Sequence, residues 1–180
     1  MPMWGQRLWK GAALGLPPEG RGSLADPGRR LAARILDQLV LLPVWIVLAG
    51  VVTLIIAPHA GAMFPAEPDD PNEVGPTPGF FWIYLGIIGA ALLTQLVSIA
   101  YETFCTVTYG RTLGKRWLKI RPVRIGGAPI GWWRAFGRAA AYHVSWALSW
   151  VGMLDPLWCC WDQDRQCIHD KVVDTVVVRD

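Results

Sequence analysis

The sequence predicts an all-α integral membrane protein with two transmembrane helices, a third span or returning helical hairpin, and short cytoplasmic strand-like segments. Three observations lead there. Hydrophobic residues make up 53% of the 180-residue chain and charged residues 17%, with a mean hydropathy of +0.31. That is too little charge to cover a water-facing surface. Two apolar runs match a bilayer in length, since about 20 helical residues at about 1.5 Å each cross a hydrocarbon core of roughly 30 Å. The basic residues are unevenly placed: 14 of the 17 lie between Met1 and Arg138, and none falls between Pro58 and Gly79. The 19 glycines, 14 prolines and 11 tryptophans agree with this class, because lipid-embedded helices tolerate Gly and Pro better than soluble ones and Trp favours the membrane interface.

Residues 1–28 read as an irregular tail. Arg7 and Lys10 precede an apolar stretch, Ala12 to Leu16, that is too short for a signal-peptide core, and Trp4 and Trp9 suit contact with a membrane surface. The first span is expected over 29–57. It contains Leu39 to Ala57, 19 residues without charge, in which Pro43 predicts a kink rather than a break. Residues 58–79 hold six prolines and four acids, Glu67, Asp69, Asp70 and Glu73, with neither Lys nor Arg. This is a loop. Its acids lack the spacing and mid-loop Gly of an EF-hand, which favours a solvated acidic segment over a calcium site.

The second span is expected over 80–104, with Glu102 its only charge. Residues 105–134 then carry seven Lys or Arg and no acid, while Met1 to Arg34 has six basic residues against two acidic ones. The positive-inside rule puts both basic segments in the cytoplasm, with the N terminus, and the acidic loop outside. Residues 135–161 leave two readings open. Their uncharged part, Val144 to Leu154, is only 11 residues, short for a span. Either one tilted helix crosses once, or a hairpin turning near Val151 to Pro156 returns the 162–180 tail to the cytoplasm. Two strand-like segments, Leu118 to Ile125 and Asp174 to Arg179, favour the hairpin, because strands pair only within one compartment.

Gly110 to Lys115 imitates a phosphate loop, yet it is one residue too short between the glycines, and Arg116 stands where a magnesium-binding Ser or Thr is needed. Lys115, Arg116 and Trp117 are instead expected to touch anionic lipid headgroups, where a basic residue is worth about 1 kcal/mol. The four cysteines, Cys105, Cys159, Cys160 and Cys167, show no CxxC pattern, and Cys167 with His169 is a weak metal pattern. Free thiols are expected, with no metal and no cofactor. His143 and His169 lack a nucleophile or metal constellation, so no enzyme activity is expected. Nor is a nucleic-acid partner.

The informative charges lie at the apolar runs. Arg30, Arg34 and Asp37 are spaced i, i+4, i+7 and fall within about 60° of one another on a helix. Arg30 and Asp37 stand about 10 Å apart along the axis, so Asp37 must look to Arg34 or to another helix. Gln95, Ser98 and Glu102 repeat the i, i+3, i+7 spacing at matching depth in the second run. Ionisable groups at such positions are functional candidates by default. The competing reading is equally physical: the arginines anchor and orient the first helix, and Gln95 and Ser98 bond the two helices together. Asp155 fits a turn residue before Pro156, and Asp170 belongs to a tail of mixed charge.

The residues Arg30-Leu31-Ala32-Ala33-Arg34-Ile35-Leu36-Asp37 resemble the opening block of the RDD family of membrane proteins. Gly110 to Ile120, Gly127-Ala128-Pro129-Ile130 and Asp164 to Val178 are similar to its later blocks, in the same order and spacing. The resemblance runs from about Gly28 to Arg179. It implies that Arg30 is the family arginine, Asp37 its first aspartate and Asp170 its second; Asp174 stands where a small residue is usual. It also implies a multi-pass protein of the bacterial inner membrane, with cation/proton exchange suggested as a family role.

Two functions follow as expectations. One is a small cation or proton-coupled transporter in which Asp37 titrates, Arg30 or Arg34 tunes it, and Glu102, Gln95 and Ser98 complete an inner cavity. Its few spans and lack of an inverted repeat call for a homo-oligomer or a partner membrane protein. The other is a non-transporting scaffold or accessory subunit whose basic loop and tail form a docking platform.

Overall fold

The computed structural model describes residues 12–58, 78–148 and 150–180. The first 11 residues of the expected tail and residues 59–77 of the expected acidic loop lie outside them. After a 3-10 turn at Ala12–Leu14 come α1 (Pro27–Ile56), α2 (Pro78–Tyr109), α3 (Leu113–Trp117), β1 (Ile120–Arg124), α4 (Trp132–Ala147), α5 (Trp150–Trp158), α6 (Ile168–Val172) and β2 (Thr175–Arg179). The fold is mostly helical, with one two-stranded sheet.

Pro27 and Pro78 open their helices, a position where the missing N–H is not needed and the fixed φ suits the turn. The 30 residues of α1 and 32 of α2 give lengths of about 45 and 48 Å. Both helices are long and apolar enough to cross a membrane, and only 6% of each span window is buried. Large apolar side chains such as Leu39, Val47, Leu54, Leu92 and Leu96 are more than half exposed. Left in water, that surface would be unfavourable by about 25 cal/mol per Å². α2 runs five residues past the expected 104, because Cys105 and Thr106 remain buried on its inner face. Gly110, at φ +75°, then closes it in the left-handed conformation that favours glycine. The expected 105–134 loop is therefore an ordered stretch holding the last turn of α2, then α3, β1 and the start of α4.

The chain divides into two compact units. One is Leu41–Val97, the apolar unit, whose described residues 41–58 and 78–97 contain no Asp, Glu, Lys or Arg. Ile56 packs there against α2 at Gly86.

The other, the polar unit, joins Met1–Val40 to Ser98–Asp180. β1 and β2 pair antiparallel, with Ile120 opposite Arg179 and Arg124 opposite Thr175. Leu24 bridges to Val178, and the Ala25 N–H donates to the Val177 carbonyl at 2.9 Å. Two small apolar clusters fill this region: Leu24, Val123, Val176 and Val178, and Ala25, Ala33, Ile120 and Val177. Both expected strand segments are thus strands, and they share one sheet. A single tilted span over 135–161 is replaced by two helices. α4 measures about 24 Å from its 16 residues, ends at Leu148 and packs against α5. Asp155 is not a turn residue; it lies inside α5 one position before Pro156 and is fully buried.

Candidate functional site

The polar unit buries charge rather than hydrocarbon at its centre. Arg30 and Arg34 project from α1, Glu102 from α2, Lys115 from α3, Arg138 from α4 and Asp170 from α6. Glu102 is 3% exposed. It accepts from Arg34 Nη1 at 2.6 Å and from Lys115 Nζ at 2.7 Å, with Arg138 Nη1 at 3.7 Å. Asp170 is fully buried and accepts from Arg138 Nε at 2.7 Å and Arg30 Nη1 at 3.0 Å. Arg30 further donates to the carbonyls of Val177 and Ala25, tying α1 to β2. Arg138 links the two carboxylates, so five helices converge on one ionic network.

Burial pushes the Asp170 carboxyl upward, but Arg138, His169 and Arg30 outweigh it and hold it well below the usual carboxylate range. Burial draws the Lys115 ammonium below its ordinary value, and Glu102 pulls against that shift. Removing one partner from such a network leaves an uncompensated buried charge, which costs about 3–5 kcal/mol.

Asp37 behaves differently. It faces neither arginine of its own helix. Its carboxylate accepts from the Tyr101 hydroxyl at 3.0 Å, the Thr112 hydroxyl at 2.6 Å and the Gly114 backbone N–H at 2.8 Å. Thr112 stands at the N-cap of α3 without capping it, because its hydroxyl is turned to Asp37 instead. Gly114 is required here: a Cβ would lie 2.2 Å from the Ala33 carbonyl oxygen and 3.0 Å from Asp37 Cγ. Asp37 therefore fastens α3 onto α1, and of the two partners expected for it, Arg34 or another helix, it hydrogen-bonds to the other helices. Arg30 and Arg34 each have a carboxylate from another helix within reach, and Asp37 has three neutral donors.

Of the remaining expected residues, Ser98 is buried and Gln95 half-buried on α2, and neither joins the described ion pairs. The headgroup expectation divides. Arg116 and Trp117 are exposed, but Lys115 is buried at 6% exposure against Glu102, because α3 folds back with that side chain inward. Three participants, Arg138, Thr112 and Gly114, were not singled out from sequence, and the pairing of Asp155 with His169 was not expected. Asp155 accepts from the His169 backbone N–H at 2.9 Å and lies 2.7 Å from its Nδ1. Arg138 is the single Arg or Lys in the apolar run 135–161, and that is the signal that marks it.

Cys167, His169 and Asp170 bring potential metal donors within 4.8 Å of one another. Two arginines on Asp170 make this a poor cation site, and His169 Nδ1 is already engaged by Asp155. Cys105, Cys159 and Cys167 are buried free thiols, and Cys160 is exposed.

The RDD family model matches residues 24–174. Two proteins named "Proline-rich antigen homolog", from the CDC 1551 / Oshkosh and ATCC 25618 / H37Rv strains of Mycobacterium tuberculosis, are each 38% identical over 72 residues, 39% of this chain and 29% of theirs. The match thus spans less than a third of those relatives. No solved structure matches. The chain belongs to the RDD family.

Proposed function

We propose that this RDD-family chain is a non-transporting membrane module: α1 and α2 anchor it in the inner membrane, N terminus cytoplasmic, and its ion-locked polar unit serves as a rigid scaffold for a partner. One observation carries the reading. Among the described residues, the buried ion pairs of Arg30, Arg34, Lys115 and Arg138 with Glu102 and Asp170 lie in the polar unit, whereas residues 41–58 and 78–97 offer an ion no charged side chain. A translocation path needs polar or ionisable groups along its depth, and such groups inside membrane segments mark ion pathways. The basic 105–134 region and the 162–180 tail, folded on one sheet, supply the fixed surface a scaffold requires.

A second reading is favoured by Asp37 alone. Its carboxylate is buried and held by three neutral donors rather than by an ion pair, and an oligomer could complete a path to it. Purified chain in proteoliposomes separates the two. The scaffold reading expects no pH-driven Na⁺, K⁺ or H⁺ flux above protein-free vesicles. Flux that is present in the wild type and abolished in Asp37→Asn overturns it in favour of transport.

A further inference from the structure

A cavity of about 300 Å³ opens beside the ionic network, within the polar unit. Its inner wall is built from Arg30, Arg34, Lys115, Arg138 and Asp170. With Glu102 behind that wall and Asp37 within electrostatic reach of Arg34 and Lys115, four cations face three carboxylates, which leaves the wall net positive. Arg138 Nη1 is buried and has no hydrogen-bond partner among the described residues. Among those residues, Arg34 donates a hydrogen bond only through Nη1, to Glu102, and lays its guanidinium over the Tyr142 ring at 3.7 Å. A buried donor such as Arg138 Nη1, with Glu102 Oε1 at 3.7 Å and outside hydrogen-bond distance, is costly unless an acceptor meets it. The rim has the opposite character. Leu31, Trp146 and Leu157 line it and are 58%, 44% and 49% exposed.

A positive, partly dry floor beneath an apolar rim suits an amphiphile entering head first. We infer that this cavity binds the phosphate-monoester headgroup of an anionic amphiphile, its hydrocarbon lying along Leu31, Trp146 and Leu157. A phosphate monoester carries about −1.5 to −2 charge at pH 7, which the net positive wall attracts. Its three terminal oxygens can accept from Arg34 and Arg138 together, the geometry at which arginine excels. The volume sits at the low end for ligand pockets, of about 300–1,000 Å³. That admits a headgroup and the first carbons of a chain, not a whole lipid. The site does not depend on whether the chain moves ions.

The test uses the full chain in nonionic detergent and three probes: dihexanoyl phosphatidic acid, dihexanoyl phosphatidylcholine and inorganic phosphate, with binding read by native mass spectrometry and thermal shift. Phosphatidic acid is expected to bind one per chain, at least tenfold more tightly than inorganic phosphate, with phosphatidylcholine not retained. Arg34→Gln should weaken phosphatidic acid binding at least tenfold. The rim variant Leu157→Gln, exposed enough to keep the fold, should weaken phosphatidic acid but leave inorganic phosphate unchanged. Equal affinity for inorganic phosphate and phosphatidic acid overturns the amphiphile assignment. Retention of phosphatidylcholine to the same extent, or unchanged binding in both variants, overturns the site.

Discussion

The two units of this chain solve the problem of burial in opposite ways. The polar unit folds α1, α2, α3, α4 and α6 around ions and has only two small apolar clusters. The apolar unit, 41–58 and 78–97 among described residues, leaves its large hydrophobic side chains exposed and has no ion to pair. In water both arrangements would be poor. In a bilayer the second would be solvated by lipid, and in the first Glu102 and Asp170 each have two basic side chains within 3.0 Å. Stability in the two units should therefore answer to different mutations.

The largest expected effect comes from Asp170→Asn. Removing this carboxylate leaves Arg30 and Arg138 buried without it, a loss of about 3–5 kcal/mol, read as a collapse of unfolding free energy in detergent. A change below about 1 kcal/mol, the range of an exposed pair, would show that the network is not what holds the polar unit.

Next come two glycines that a single added methyl group compares directly. Gly114→Ala drives a Cβ to 2.2 Å from the Ala33 backbone oxygen, where nothing can yield except α3 itself. We expect about 1–3 kcal/mol of destabilisation and loss of the Gly114–Asp37 bond, seen as faster amide exchange at Gly114. Gly86→Ala in the apolar unit meets only the Cδ1 tip of Ile56, a side chain that can turn aside. The gain of up to about 1 kcal/mol in helix propensity opposes that contact, so the net change stays within about 1 kcal/mol. Equal effects at the two sites would erase the contrast.

Acid should also act on one unit. Asp170 has a folded-state pKa depressed by Arg138, His169 and Arg30 despite its burial. Its contribution is present in full above the unfolded carboxylate value of about 3.9 and is lost as pH falls from there through the folded value. The melting temperature should hold between about pH 5 and 8 as far as this group is concerned, and decline below about pH 4. Asp170→Asn should flatten that decline. An unchanged acid slope in the variant would remove Asp170 from the account.

Most of the architecture could be read from the residues. Two uncharged runs specify α1 and α2 by length alone, and the β-branched Thr175 to Val178 beside Leu118 to Ile125 specify a sheet whose strands share one side. The extra turn of α2 could not be read so, because it is tied down by burial of Cys105 and Thr106, a tertiary effect that no local pattern carries. The site was legible in its members more than in its pairings. Arg30, Arg34, Asp37, Glu102 and Asp170 stand out as charges at apolar runs. Lys115 for Glu102, Arg138 for Asp170 and Asp170 for Arg30 stand 13, 32 and 140 positions away, and sequence spacing ranks only neighbours on one helix. Lys115 misled for the same reason: a basic residue after a glycine turn reads as solvent-facing until Glu102 is placed beside it.

The most direct test of the central claim, that paired buried ions hold the polar unit together, is a double-mutant cycle on Arg138 and Asp170 in detergent, using Arg138→Met, Asp170→Asn and the pair. The account predicts a coupling free energy above about 1 kcal/mol, the double variant being less damaged than the two single losses combined. Additivity within about 0.3–0.5 kcal/mol would contradict it.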